Sequence, residues 1–179
     1  MVAILEEDQT KFNLRLLKGR LAQVVVQTVF EQFSYIVRPY GYENYLSTLL
    51  PRMKKDDAND AVKKIRNSPD FFVYDNDLNK GFLIEVKSTT DEDETCHSPS
   101  YYNQIPLIQT QWADSVLVVY CSQTANIYCL PVSEVPLSRS INLPKDFKTL
   151  PQFFERIDEQ KYNTFLDKIR KDVMSQHCP

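Results

Sequence analysis

The chain has 179 residues, 42% of them hydrophobic and 12% aromatic, enough apolar material for one sizeable core and too little length for two ordinary domains. Its 21 Lys and Arg against 24 Asp and Glu leave a formal charge of −3, which excludes coating of nucleic acid by bulk charge; any such contact must come from a local patch. No run approaches the roughly 18 consecutive apolar residues of a membrane helix, and residues 1–8 lack the regions of a signal peptide, so a cytoplasmic protein without membrane contact is expected.

From about residue 9 to 34, Leu14, Leu17, Leu21, Val24, Val25 and Phe33, with Thr28 and Val29 between, keep the three-and-four spacing of an amphipathic helix. Tyr35, Ile36 and Val37 then read as a short strand ending before Pro39 and Gly41. Residues 43–68 read as a helical insertion, with Asp56, Asp57 and Asn59 as cap candidates and Ala61, Val62 and Ile65 as its inward face. Arg52, Lys54, Lys55, Lys63, Lys64 and Arg66 make it the most basic stretch. Two readings stand: a solvated helix surface, or a patch in which Lys54, Lys55, Lys63 and Lys64, with Arg20 on the first helix, contact phosphates.

Asp70-Phe71-Phe72-Val73-Tyr74 and Gly81-Phe82-Leu83-Ile84-Glu85-Val86-Lys87-Ser88 flank a polar turn over 75–80, the pattern of a hairpin. The acidic run Asp91 to Glu94 reads as a loop, and Pro99 to Trp112 as a helix containing Pro106. Val116 to Tyr120 form a continuous apolar run, expected as a buried strand over 115–121. Residues 126–130 resemble another strand, 131–151 are loop-rich, and a tail from about 150 to 176 is helical. Cys121 and Cys129 lie in apolar runs where Cys acts as a small buried hydrophobe, so no disulfide framework is expected. Cys96-His97 and His177-Cys178 would make a zinc set only if the C-terminus folded back. Adjacent side chains diverge and CxxC spacing is absent, so these four are expected to be solvated loop residues.

If Tyr74 pairs with Gly81, antiparallel counting sets Asp70 opposite Glu85. Directly opposed Cβ atoms lie roughly 4.5–5.5 Å apart, and like charges there destabilise a sheet. Alternation places Lys87 on the face of Glu85. One ammonium neutralises one carboxylate, which allows an ordinary cross-strand salt bridge. Two converging hard oxygen donors also suit Mg²⁺ or Mn²⁺, and this is the more economical account of the triad.

Pro69-Asp70 followed at hairpin distance by Glu85-Val86-Lys87 resembles the signature of the PD-(D/E)XK nuclease superfamily, which includes type II restriction enzymes and archaeal Holliday junction resolvases. The likeness covers about residues 15–130 and includes the preceding helix, the hairpin, and the following helix and apolar strand. It implies one α/β domain over 1–179 with a restriction endonuclease-like core at about 9–135: a central mixed sheet of about four to five strands flanked by helices, with the insertion before the catalytic hairpin. It also implies that Asp70 and Glu85 bind the metal, that the Val86 carbonyl is a further ligand, and that Lys87 orients or activates the attacking water. Many members carry a glutamate on the first helix; here Gly19-Arg20-Leu21-Ala22 leads to Gln23, able to hydrogen-bond a metal-bound water, with Gln27 and Glu31 on the same helical line. Gln104 and Gln109 are candidates for a polar residue from the following helix, and Tyr101 and Tyr102 for stacking on bases or packing under the sheet.

The function implied is Mg²⁺- or Mn²⁺-dependent hydrolysis of phosphodiester bonds, in DNA rather than RNA, with a homodimer expected by analogy for duplex cutting. Net acidity, Gln23 and the 91–94 run favour a second reading, a catalytically inactive binding or regulatory module. An α/β interaction protein with an incidental carboxylate hairpin is the third.

Overall fold

The computed structural model describes residues 2–40, 64–65, 67–90, 99–137 and 141–175, with backbone alone at 2–12, 15, 99–104 and 172–175. In chain order the elements are helix α1 (Val2–Gln32), strands β1 (Ile36–Pro39), β2 (Phe71–Asp75) and β3 (Lys80–Thr89), helix α2 (Pro99–Gln111), and strands β4 (Val116–Cys121) and β5 (Ile127–Pro131). A 3₁₀ turn (Val132–Glu134), helix α3 (Leu143–Asp146), strand β6 (Lys148–Thr149) and helices α4 (Leu150–Phe153) and α5 (Glu159–Ser175) complete the chain. Most of the expected insertion at 43–68 lies outside the described residues.

The fold is α/β. Six strands form one open mixed sheet in the order β1-β2-β3-β4-β5-β6. The β3–β4 pair is parallel and joined through α2; the remaining neighbours are antiparallel. The strand count exceeds the four to five expected because β6 arises within the stretch read as loop. That stretch also supplies α3 and α4, pieces too short for periodicity to announce, and the C-terminal helix begins at Glu159 rather than near 150. Pro39 belongs to β1 instead of ending it, since β1 is an edge strand and proline's missing N–H costs little there. Among the described residues, no helix is long and apolar enough to cross a membrane.

Two cores sandwich the sheet. On one face, Ala22, Val25, Val26, Val29 and Phe30 of α1 pack with Val73, Ile84, Val86, Val118 and Tyr120, joined by Phe154, Tyr162 and Leu166. On the other, Ile105 and Ile108 of α2 pack on Leu117, Val119, Tyr128 and Leu130. This explains β4: alternate residues enter opposite cores, so all six are buried. The inward stripe of α1 differs from the expected one. Leu14, Leu17, Leu21 and Val24 are exposed, because the sheet lies under the helix's second half and meets the stripe beginning at Ala22. Cys121 and Cys129 are buried free thiols, as expected of small hydrophobes.

α1 ends in a Schellman arrangement: Tyr35 N–H donates to the Phe30 carbonyl at 3.1 Å and Ser34 N–H to the Glu31 carbonyl at 3.0 Å. The accompanying apolar contact is edge-on between the Phe30 and Tyr35 rings, 5.4 Å apart. Ser34 takes the left-handed conformation with φ 63°, a place that favours glycine. Ser34→Gly is therefore expected to stabilise the protein by about 0.5–1 kcal/mol in urea denaturation.

The hairpin's turn is anchored by Asp75, which is fully buried. Its Oδ1 accepts the N–H groups of Asp77 and Leu78 at 2.9 and 3.2 Å and the Arg156 guanidinium at 3.1 Å; Arg156 also pairs with Asp77 and lies over the Tyr35 ring. Burial pushes the Asp75 carboxyl up, but the Leu78 and Asp77 N–H groups and Arg156 outweigh it and hold the group below its ordinary value. A depressed carboxyl stabilises the fold above its unfolded value and loses that contribution as pH falls through the folded one. Asp75→Ala should cost about 3 kcal/mol at neutral pH, since it strands Arg156 and the turn amides. Between about pH 5 and pH 2 the urea midpoint of the wild type should fall more steeply than that of the variant.

Candidate active site

The β2–β3 register runs Phe71↔Ile84, Phe72↔Leu83, Val73↔Phe82, Tyr74↔Gly81 and Asp75↔Lys80, as the hairpin pattern implies. One step further sets Asp70 beside Glu85. β3 continues to Thr89 while β2 begins only at Phe71, so past Ile84 the β2-facing edge of β3 is open. Backbone polar groups alternate between strand edges, and the N–H and C=O of one residue share an edge. Those of Val86 point to the open edge, and those of Thr89 to β4, where its carbonyl accepts Ser122 N–H at 2.9 Å. Asp70 occupies the missing strand's position: its Oδ2 accepts Val86 N–H at 2.7 Å. Tyr40 braces it from the other side, donating its N–H to the Asp70 carbonyl at 2.8 Å.

Three more groups meet here. Gln23 Nε2, carried in by α1, donates to Asp70 Oδ1 at 2.6 Å. Lys87 Nζ lies 2.7 Å from Glu85 Oε1, the two residues sharing one strand face. Burial, then the neighbouring Glu85 charge, push the Asp70 carboxyl up to about 7 despite the Val86 N–H, Lys87 and Gln23. Burial alone would pull Lys87 down; the Glu85 charge and hydrogen bond, with Asp70, outweigh it and hold the ammonium above its ordinary value. Lys87 is thus a cation at neutral pH.

The donor set suits a hard divalent ion. It offers two carboxylates and the Val86 carbonyl on the same open edge; a group of three or more His, Cys, Asp or Glu able to hold a metal occurs neither here nor elsewhere among the described residues. Mg²⁺ and Mn²⁺ accept such incomplete oxygen sets because they retain waters.

The other residues singled out in the sequence fall elsewhere. Arg20 is exposed on α1. Lys64 is exposed, its Nζ 5.3 Å from the centre of the Trp112 ring. Gln27 bonds Glu31 at 2.8 Å. Gln109 is not a site residue: its amide donates to the Val132 and Val135 carbonyls at 2.8 and 2.9 Å, tying α2 to the 3₁₀ turn. Lys54, Lys55, Lys63, the 91–94 run, Cys96, His97, His177, Cys178 and the side chains of Tyr101, Tyr102 and Gln104 lie outside the described residues. Tyr40 was missed; the signal was its place directly after an edge strand, in register with Asp70.

No protein-family model, curated protein or solved structure matches the chain.

A raised carboxyl means that between its ordinary 3.8 and about 7 the folded chain holds a proton the unfolded chain has lost. Stability then falls as pH rises through that window. Asp70→Asn keeps an acceptor for Val86 and removes the slope. In metal-free buffer at pH 8 its melting temperature should exceed the wild type's by about 3 °C, and the two should converge at pH 4.

Proposed function

We propose that this chain is a divalent-metal-dependent nuclease of the PD-(D/E)XK type, hydrolysing phosphodiester bonds in DNA. The observation that carries the reading is the convergence of Asp70, just before β2, with Glu85 and Lys87 of β3, and of Gln23 reaching Asp70 from α1. The order of elements supports it: a helix, three antiparallel strands, a crossover helix and a strand parallel to β3 follow the order expected of a restriction endonuclease-like core.

Bound Mg²⁺ or Mn²⁺ would lower the pKa of a coordinated water and offset charge developing on the phosphorus oxygens. Asp70, Glu85 and the Val86 carbonyl would hold the ion. Lys87 sets a second positive charge beside the nucleophile and the phosphate. Gln23, whose Nε2 reaches Asp70 Oδ1, is placed to hydrogen-bond a water of the site. A duplex substrate would call for two such sites, hence a homodimer, whereas a single strand calls for one.

One observation favours the alternative of an inactive binding module: the Gln23 amide already fills one Asp70 oxygen, in a place where a glutamate would add charge. Both readings are separated by one experiment. Mn²⁺ should raise the melting temperature of the wild type and not of Glu85→Ala, since a ligand of the folded state stabilises it. Plasmid and single-stranded DNA should be cut with Mg²⁺ or Mn²⁺, and Glu85→Ala and Lys87→Ala should each lose activity on the order of 100-fold. Metal binding without cleavage selects the binding module; cleavage surviving both substitutions rejects this site.

A further inference from the structure

Among the described residues, the two faces of the sheet are covered unequally. The α2-side core involves β4 and β5 and contains no residue of β1, β2 or β3. Alternation places Ile36, Arg38 and Tyr40 of the β1 segment and Asp70, Phe72 and Tyr74 of the β2 segment on that same side, since Phe71, Val73 and Val37 enter the opposite core. Tyr40 is 40% exposed, its ring edge-on to that of Trp112 with 6.0 Å between centroids, Phe72 is 37% exposed, and Arg38 is exposed as well. Phe72 stacks on Tyr74 with 23° between rings and lies over Gly81, where a Cβ would come within 2.7 Å of it.

We propose that this partly exposed half-face is a stacking platform for the bases of a single nucleic-acid strand, leading it to Asp70 and Glu85. The occupant follows from three features. Exposed aromatic rings on a sheet face with a neighbouring cation are the means by which proteins hold unpaired bases. Residues on one strand face repeat about every 7 Å, roughly twice the 3.4 Å rise of a stacked strand, which suits a strand pulled straight with its bases unstacked. The surface is also continuous with the site, because Tyr74, Phe72 and Asp70 are alternate residues of one segment and Tyr40 bonds Asp70 through its backbone. Arg38, between Tyr40 and Ile36, supplies the phosphate contact. A duplex, its bases already stacked inside, gains nothing from these rings. The destination of the strand rests on the nuclease reading; the binding does not.

The test uses the full chain with Ca²⁺ to suppress turnover, and fluorescence anisotropy of labelled oligothymidylate, an abasic strand of equal length and a duplex. Oligothymidylate should bind about tenfold more tightly than either other probe. Tyr40→Ala and Phe72→Ala should each weaken that binding about tenfold, Tyr40→Phe should restore it, and Arg38→Ala should lower its salt slope by about one. Melting curves establish that the variants fold, as expected of exposed positions. Equal binding of the abasic strand, preference for duplex, no binding to any probe, or folded alanine variants binding as wild type would each overturn the platform. The two proposals fail separately: base-dependent binding without cleavage in Mn²⁺ leaves the platform standing and removes the nuclease, whereas cleavage indifferent to Tyr40 and Phe72 does the reverse.

Discussion

The candidate site depends on one mismatch of length. β3 outruns β2, and the Asp70 carboxylate takes the hydrogen bond that another turn of strand pairing would have supplied to Val86. That one bond does two things. It satisfies a buried backbone donor whose loss would cost about 1–3 kcal/mol, and it holds a negative charge against Glu85 in a place where the sheet provides no neighbour to screen it. The energetic tension is visible in the elevated proton affinity of Asp70. Lys87 relieves part of it through Glu85, and Gln23 relieves part through Asp70, but neither supplies a full countercharge to both acids.

The unequal layering of the sheet determines what can reach this point. α1 and the C-terminal helices close one face with a continuous apolar core, from which Gln23 reaches across the open edge. The second core closes only the β4–β5 half of the other face. Glu85 and Lys87 therefore sit where packed sheet gives way, Glu85 buried and Lys87 half-buried, and the burial strengthens the attraction between them.

Much of this could be read from residues alone. The β2–β3 register was legible because the polar turn and period-two alternation leave one alignment that buries Phe71, Val73, Ile84 and Val86 together. From that register the facing of Asp70 and Glu85, and the companionship of Lys87, follow by counting. The inward face of α1 was not legible. Leu14, Leu17, Leu21 and Val24 keep a helical period as good as that of Ala22, Val25, Val26, Val29 and Phe30, and only the position of the sheet decides which is buried. Likewise a glutamine on a helix declares no destination: Gln23 and Gln109 are alike in sequence, yet one meets a carboxylate and the other two carbonyls. Pro39 misleads for a similar reason, since its tolerance depends on being at the sheet's edge.

The buried Asp75 latch has a mechanical consequence. Arg156 rivets the loop end of the hairpin to the segment that follows α4, and Tyr35 sits beneath the rivet. At the opposite end Asp70 is held by Val86 N–H, by Gln23 and by Tyr40 N–H, and β3 stays paired with β4 as far as Thr89. A hairpin clamped at both ends passes a disturbance along its length instead of absorbing it at one. The placing of Asp70 beside Glu85 is thus tied, through the five paired residues of β2, to the Arg156 rivet at the far end.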